Sequence, residues 1–317
     1  MNKIKLLFIF IIIFSCSKNT SNHFTDKEIL KPELFLPGIV TSLETQEFGL
    51  TISPKDGKTI FSTRRIADEK QKIYETTYRN KKWSIPKIAS FSTDRDESPH
   101  FSKNGNILYF GSERAIKNKP NKGNFDMNVW KTELKNNTWT SPTVLPEIIN
   151  KVQIINEKWP SSNLSHFVTV DDKTFYTGTQ LRGTKGIDIY KTTLSNKQFT
   201  PLEKLSPSIN SEDLWEYAPV ISYDGKYLFY QVYNKEDGFG GDDIYVSKKN
   251  KDNQWLTGKN LGNLINTNMN ECPAEMSSDG KYFFFTRDYK KNPNEYDGIS
   301  SIYFIETKAL KLNELFK

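Results

Sequence analysis

Apolar residues in this chain come in short runs with polar neighbours, not at the three-to-four spacing of an amphipathic helix. Five aromatic and aliphatic runs stand out: Thr59-Ile60-Phe61, Ile107-Leu108-Tyr109-Phe110, Phe175-Tyr176, Tyr227-Leu228-Phe229-Tyr230 and residues 282–285. Each directly follows a polar turn, Lys55-Asp56-Gly57, Lys103-Asn104-Gly105, Asp171-Asp172-Lys173, Tyr223-Asp224-Gly225 or Ser278-Asp279-Gly280. Asp-Gly and Asn-Gly between such runs predict tight hairpins, because both residues accept positive φ. The third turn has no glycine and is expected to be looser. Downstream of each hairpin lies a third run, marked by Ile73-Tyr74, Val129-Trp130, Ile189-Tyr190, Ile244-Tyr245 or Ile302-Tyr303. A fourth is marked by Trp83, Trp139, Phe199 or Trp255.

From Gly57 to Gly280 the turns recur about every 56 residues, with four short antiparallel strands per repeat. That pattern predicts an all-β chain, a five-bladed β-propeller of four-stranded antiparallel blades, with a six-bladed ring as the alternative. The fifth repeat lacks a Trp-marked fourth strand, while Glu33-Leu34-Phe35-Leu36-Pro37 resembles the end of one. The N-terminal strand is therefore expected to close the ring. The propeller spans 32–317, with blades near 47–95, 96–162, 163–215, 216–270 and 271–317 plus 32–46. The surplus at 150–163 reads as a loop insertion.

Residues 1–15 stand apart. Lys3 and Lys5 precede an apolar run of nine residues, Leu6 to Phe14. As a helix it would rise roughly 14 Å, about half a bilayer core, so it reads as a signal peptide and not a membrane span. It ends in Ile13-Phe14-Ser15-Cys16, which resembles the bacterial lipoprotein signal, whose Cys becomes acylated; Phe14 stands where that signal has a small residue. An ordinary secretory signal is the alternative. Residues 16–31 read as a polar tether, and Cys272 is left as a lone thiol. By the same resemblance, Ser17 in place of Asp favours the outer membrane.

The chain has 317 residues, 36% hydrophobic and 26% charged, with a formal net charge of +6. It is too polar for a multi-span membrane protein, and without a dense basic block it predicts no nucleic-acid partner. Gly-x-Ser-x-Gly, His-Glu-x-x-His, Cys-x-x-Cys and phosphate-loop motifs are absent from the sequence.

Gly240-Gly241-Asp242-Asp243-Ile244-Tyr245, Trp255, Asn260-Leu261-Gly262, Ile265-Asn266-Thr267, Glu271 and Ser278-Asp279-Gly280 together resemble the TolB-like, WD-type propeller repeat of bacterial envelope proteins. Asp188-Ile189-Tyr190 keeps the third-strand motif, whereas Lys72 and Ser301 replace its Asp. The resemblance implies an envelope lipoprotein, monomeric, with a protein or glycan partner and a membrane contact through its lipid. On it rests the expectation of a non-enzymatic binding or scaffolding module.

In a propeller the long loops (113–126, 150–163, 233–242 and 287–300) share one face and the tight turns the other. Binding is expected at the loop face. There, repeat alignment puts Glu47, Asp96, Asn163, Glu216 and Glu271 at the start of each innermost strand. This near-ring of carboxylates suits a cation, or each acid pairs with an arginine of its own blade, Arg64, Arg114 or Arg287. A hydrolase or lyase acting on carbohydrate through Glu216 and Glu271 is the alternative function. Loop-face Trp159, Trp215, Tyr217, Tyr233 and Tyr289 suit stacking on sugars or a protein. No cofactor or catalytic residue is expected. Calcium near Asp242 and Asp243 is a lesser alternative, since the loop lacks the order of a calcium loop. His100 and His166 fall one position out of register, which argues against a shared metal.

Overall fold

The computed structural model describes residues 23–66, 69–117, 127–150, 166–181, 184–289 and 298–317. The signal run, Cys16, Trp159 and Asn163 lie outside them. Among the described residues five antiparallel meanders follow one another. Their innermost strands are Gln46–Ile52, Asp96–Phe101, Phe167–Val168, Glu216–Ile221 and Asn270–Met276. Second strands are Thr59–Arg65, Ile107–Ser112, Thr174–Thr179, Tyr227–Tyr233 and Tyr282–Tyr289. Third strands are Lys72–Arg79, Asn128–Lys135, Asp188–Ser195, Asp242–Lys248 and Ile299–Glu306. The architecture is a β-propeller.

Fourth strands are split. Lys82–Trp83 and Lys87–Ile88 both pair with Lys72–Arg79, and the next two blades repeat this with Trp139 and Phe199. At each break a third-strand hydroxyl donates to a carbonyl: Thr76 to Ser84, Thr132 to Thr140, Thr192 to Thr200. The Trp-bearing piece and the one after it are thus one interrupted edge strand.

The hairpin turns form as their residues dictate. Gly57, Gly105, Gly225 and Gly280 have φ between +67° and +71°. In the third turn Asp172 takes the left-handed position at φ +58°, and the Asp171 carboxylate accepts the N–H groups of Lys173 and Thr174. A side-chain acceptor thereby holds closed a turn expected to be loose.

Innermost strands carry a bulge each in blades one, two, four and five, seen as register shifts at 48/50, 97/100, 217/220 and 273/275. Gly49 sits in the first at φ +54°, where an added Cβ would come 2.8 Å from the Ser98 Cα of the next blade. That close approach near the axis explains why this position has no side chain.

Apolar side chains gather between neighbouring blades. Phe61, Phe101 and Phe110 join blades one and two; Tyr109, Phe167 and Phe175 join two and three; Ile221, Leu228 and Tyr176 join three and four. Phe229, Phe283 and Phe285 join four and five, while Leu50, Phe284 and Phe304 join five back to one. Closure is also made by hydrogen bonds. Glu33–Leu34 pairs antiparallel with Ile299–Glu306, and Phe35 N–H donates to Ile302 O at 2.8 Å. Residues 23–31, assigned to a polar tether by sequence, lie against this junction: Phe24 and Ile29 are buried, and Ile29 and Glu306 exchange hydrogen bonds. No helix among the described residues is long and apolar enough to cross a membrane.

Candidate functional site

Three of the carboxylates expected at the loop face are buried and completed within the fold. Glu47 lies 3.1 Å from Arg64 Nε, accepts from the Thr45 hydroxyl, and takes the Ser42 N–H at 3.1 Å. Asp96 holds Arg114 through two bonds, at 2.5 and 2.9 Å, and accepts from Ser92. Glu271 accepts from Arg287 Nε at 2.7 Å and Thr267 Oγ1 at 2.6 Å. Each guanidinium also donates to a carbonyl of the preceding connector, those of Ile39, Phe91 and Ile265. The acid therefore clamps connector, innermost strand and second strand together. Burial outweighs the arginine and pushes Glu47 up to about 7; burial also raises Asp96.

Glu216 departs from this. It keeps the equivalent hydroxyl, Ser211 Oγ at 2.6 Å, but the residue opposite it is Val232, where Glu47 and Glu271 face arginines. Among the described residues its buried Oε2 has no hydrogen-bond partner, and burial raises its pKa. The nearby Lys204 is engaged with Asp188 at 2.8 Å.

Asp242 and Asp243 are occupied as acceptors. Asp242 Oδ1 takes the Tyr217 hydroxyl at 2.5 Å, and Asp243 Oδ2 takes the Phe239 N–H at 2.6 Å. Burial, then the charge of Asp288, pushes Asp242 up to about 6. Among the described residues no three His, Cys, Asp or Glu side chains converge as metal ligands. Trp215 and Tyr233 are exposed, with ring centroids 5.9 Å apart. Tyr289 meets Tyr303 instead of standing free. Cys272 is an unpaired thiol whose pKa burial raises well above the ordinary value.

A cavity of about 230 Å³ opens at the other face, among the tight turns. Every described innermost strand, or the turn that follows it, contributes: Thr51 and Ile52, His100 and Phe101, Thr169 and Val170, Ile221, and Glu275 and Met276. Its polar side is one network. His100 Nδ1 lies 3.3 Å from Glu275 Oε2, and Thr51 Oγ1 donates to the same oxygen at 2.8 Å. Glu275 Oε1 accepts the Met276 N–H at 3.0 Å. The other imidazole nitrogen meets the backbone of Thr169, 3.0 Å from its nitrogen and 2.8 Å from its carbonyl oxygen. Burial alone would lower the His100 pKa; the Glu275 carboxylate overrides it and holds the ring above its ordinary value. His166, buried near that charge, is pushed down to about 4.

Sequence reading did not single out Glu275, and it placed binding on the opposite face. The signal was present: two residues before each turn-opening Ser or Thr stand Thr51, His100, Phe167, Val220 and Glu275. Three of the five are polar, although the position is buried in every one of these blades.

No family model and no curated protein matches the chain. Solved structures do. TolB from Acinetobacter baumannii superposes with a TM-score of 0.50 at 14% identity, over 83% of this chain and 55% of that one. The chain thus spans about half the length of that TolB. A glycoside hydrolase superposes with a TM-score of 0.53 at 9% identity, over 87% of this chain and 92% of its own. At such identities the likeness carries the fold, a β-propeller. The expectation that the chain is not an enzyme is corrected here. A structure named as a glycoside hydrolase shares this fold over 92% of its chain, so the fold gives no ground for excluding catalysis.

Proposed function

We propose that the protein is an envelope propeller, held to the membrane through acylated Cys16, that binds a small ligand in the cavity at its turn face. One observation supports this most: strands from all five described blades converge on a single concave site with an apolar wall and a fixed polar side. Such sites are where small molecules bind. Hydrolysis of a glycan through Glu216 and Glu271 is less well supported, because Glu271 is held by Arg287 and Thr267. A retaining or inverting pair needs both carboxyl groups free to exchange protons or attack.

Thermal shift with panels of monosaccharides, amino acids and short carboxylic acids tests the cavity. At least one panel is expected to raise the melting temperature of the wild type and not that of Ile221→Trp, which fills the space. Equal responses in both proteins, or none in either, would overturn the reading. Anchoring is tested separately by metabolic labelling with an alkynyl fatty acid: label is expected on the wild type and lost in Cys16→Ser.

A further inference from the structure

The mouth of the cavity narrows the chemistry of its ligand. Lys55 and Lys103, from the turns of adjacent blades, both line it and are exposed. Lys55 Nζ donates to a neutral partner, Asn106 Oδ1, at 2.6 Å. Among the described residues neither ammonium has a carboxylate within ion-pair distance, and neither has a further partner. Lysines of neighbouring turns differ: Lys226 is paired with Asp224 at 3.1 Å.

The turn acids are directed at backbone groups and not at the two ammonium groups. Asp56, Asp171, Asp224 and Asp279 each accept backbone N–H groups of their own turn, and Asp172 accepts that of Lys103. None of these five lines the cavity. The lining itself carries two lysines against one carboxylate, in a concave site whose wall is Ile52, Val170, Ile221 and Met276. The one carboxylate of the lining, Glu275, already accepts from Thr51, His100 and Met276 on its two oxygens. It would repel an anion placed beside it.

Resting on the proposed binding role, we infer that the cavity takes a carboxylate-ended ligand with a short apolar body, the body against Ile52, Val170, Ile221 and Met276 and the carboxylate at the mouth between Lys55 and Lys103. Two sources present this chemistry, a free short-chain carboxylic acid and the C-terminal residue of a peptide whose chain leads out through the mouth.

Isothermal titration of the detergent-solubilised full chain separates them. The probes are hexanoate, hexanamide, a pentapeptide ending in leucine, and the same peptide with a C-terminal amide. Hexanoate is expected to bind about tenfold more tightly than hexanamide, from two partly exposed ion pairs. Raising the salt from 0.05 to 0.5 M should weaken the acid and leave the amide unchanged. Lys55→Met/Lys103→Met should abolish the preference while keeping the wild-type melting temperature without ligand, because both side chains are exposed. Binding of the free-acid peptide but not of hexanoate or the amidated peptide assigns the site to a partner's C-terminus, and supports the inference equally. Hexanamide binding as tightly as hexanoate overturns the carboxylate and leaves the cavity role standing. No binding by any of the four probes also overturns it, and the cavity role then stands or falls on the sugar and amino-acid panels.

Discussion

Glu216 is where a repeated device is missing one part. Glu47, Asp96 and Glu271 each sit buried against an arginine, whereas Glu216 faces Val232 and keeps a buried, unpartnered Oε2. A buried carboxylate without a cation is costly when ionised, so it holds its proton to higher pH than in the unfolded chain. The sign follows from linkage: with the folded pKa raised, stability from this group is full below the unfolded value and lost as pH rises through the folded one. Glu216→Gln removes that loss. We expect the variant to match the wild type near pH 4 and to exceed it by about 1 kcal/mol at pH 8, read from urea midpoints. A variant less stable at pH 8 would mean that the ionised carboxylate is satisfied after all. Burial raises Glu47 as well, so Glu47→Gln removes a loss of the same sign, but it also weakens the hold on Arg64, and its gain at pH 8 should be smaller than that of Glu216→Gln. That Arg64, Arg114 and Arg287 could each pair with the acid of their own blade, leaving Glu216 without one, was legible in the sequence. Arg64 and Arg287 stand across from their acids, but Arg114 reaches Asp96 from two residues beyond the paired Ser112.

At the scale of elements, one asparagine organises each of three connectors. Asn150, Asn210 and Asn266 are buried, and each brackets the backbone of the third-strand residue Val129, Ile189 or Ile244 by accepting its N–H and donating to its carbonyl. Asn210 also donates to Leu205 O at 3.0 Å, so its amide locks a β-turn against the sheet. Asn210→Ala removes bonds to three backbone groups, of which only the Ile189 carbonyl keeps another partner, the Leu205 N–H, and it is expected to lower stability by about 2–4 kcal/mol. Asn210→Asp keeps the acceptor but sets a carboxylate oxygen against the carbonyls of Ile189 and Leu205, so it should cost at least as much as Ala at neutral pH and less in acid, where the protonated carboxyl can donate, as checked by denaturant unfolding. The hairpins were legible as a repeat, because Asp-Gly turns and aromatic runs act through neighbours in sequence; Ile265-Asn266-Thr267 was legible only as part of a family resemblance, and the equivalent roles of Asn150 and Asn210 were not. Bulges and split edge strands were not legible. Gly49 owes its identity to Ser98 of the next blade, a contact that no local pattern encodes. The cavity is hidden for the same reason: its lining comes from five separated strands, so no short window of sequence contains the site.

Closure belongs to the whole molecule. The last meander finds its edge strand at the other end of the described chain, and Phe35 anchors that strand with ring centroids 5.2 Å from Phe24, 4.8 Å from Phe284 and 5.2 Å from Phe304. Every other inter-blade core joins segments that follow each other in sequence, so its ordering entropy falls on a short loop. This one must bring together segments separated by almost the full propeller, which makes it the costliest contact to form and the natural place for the ring to open. Phe35→Ala leaves a cavity in a fully buried cluster and should cost about 3–4 kcal/mol overall. Its more telling effect is local. In native-state hydrogen exchange, amides of Ile299–Glu306 should lose far more protection than those of Ile107–Ser112, which lie in the second blade. The cavity mouth adds a second reading of the same event, because Ile52 and Met276 line it from the two blades that closure joins. Opening the junction should therefore weaken ligand binding in Phe35→Ala even at temperatures where the other blades remain folded. A uniform loss of protection across all blades would instead show that the ring opens and unfolds as one unit, with no privileged seam.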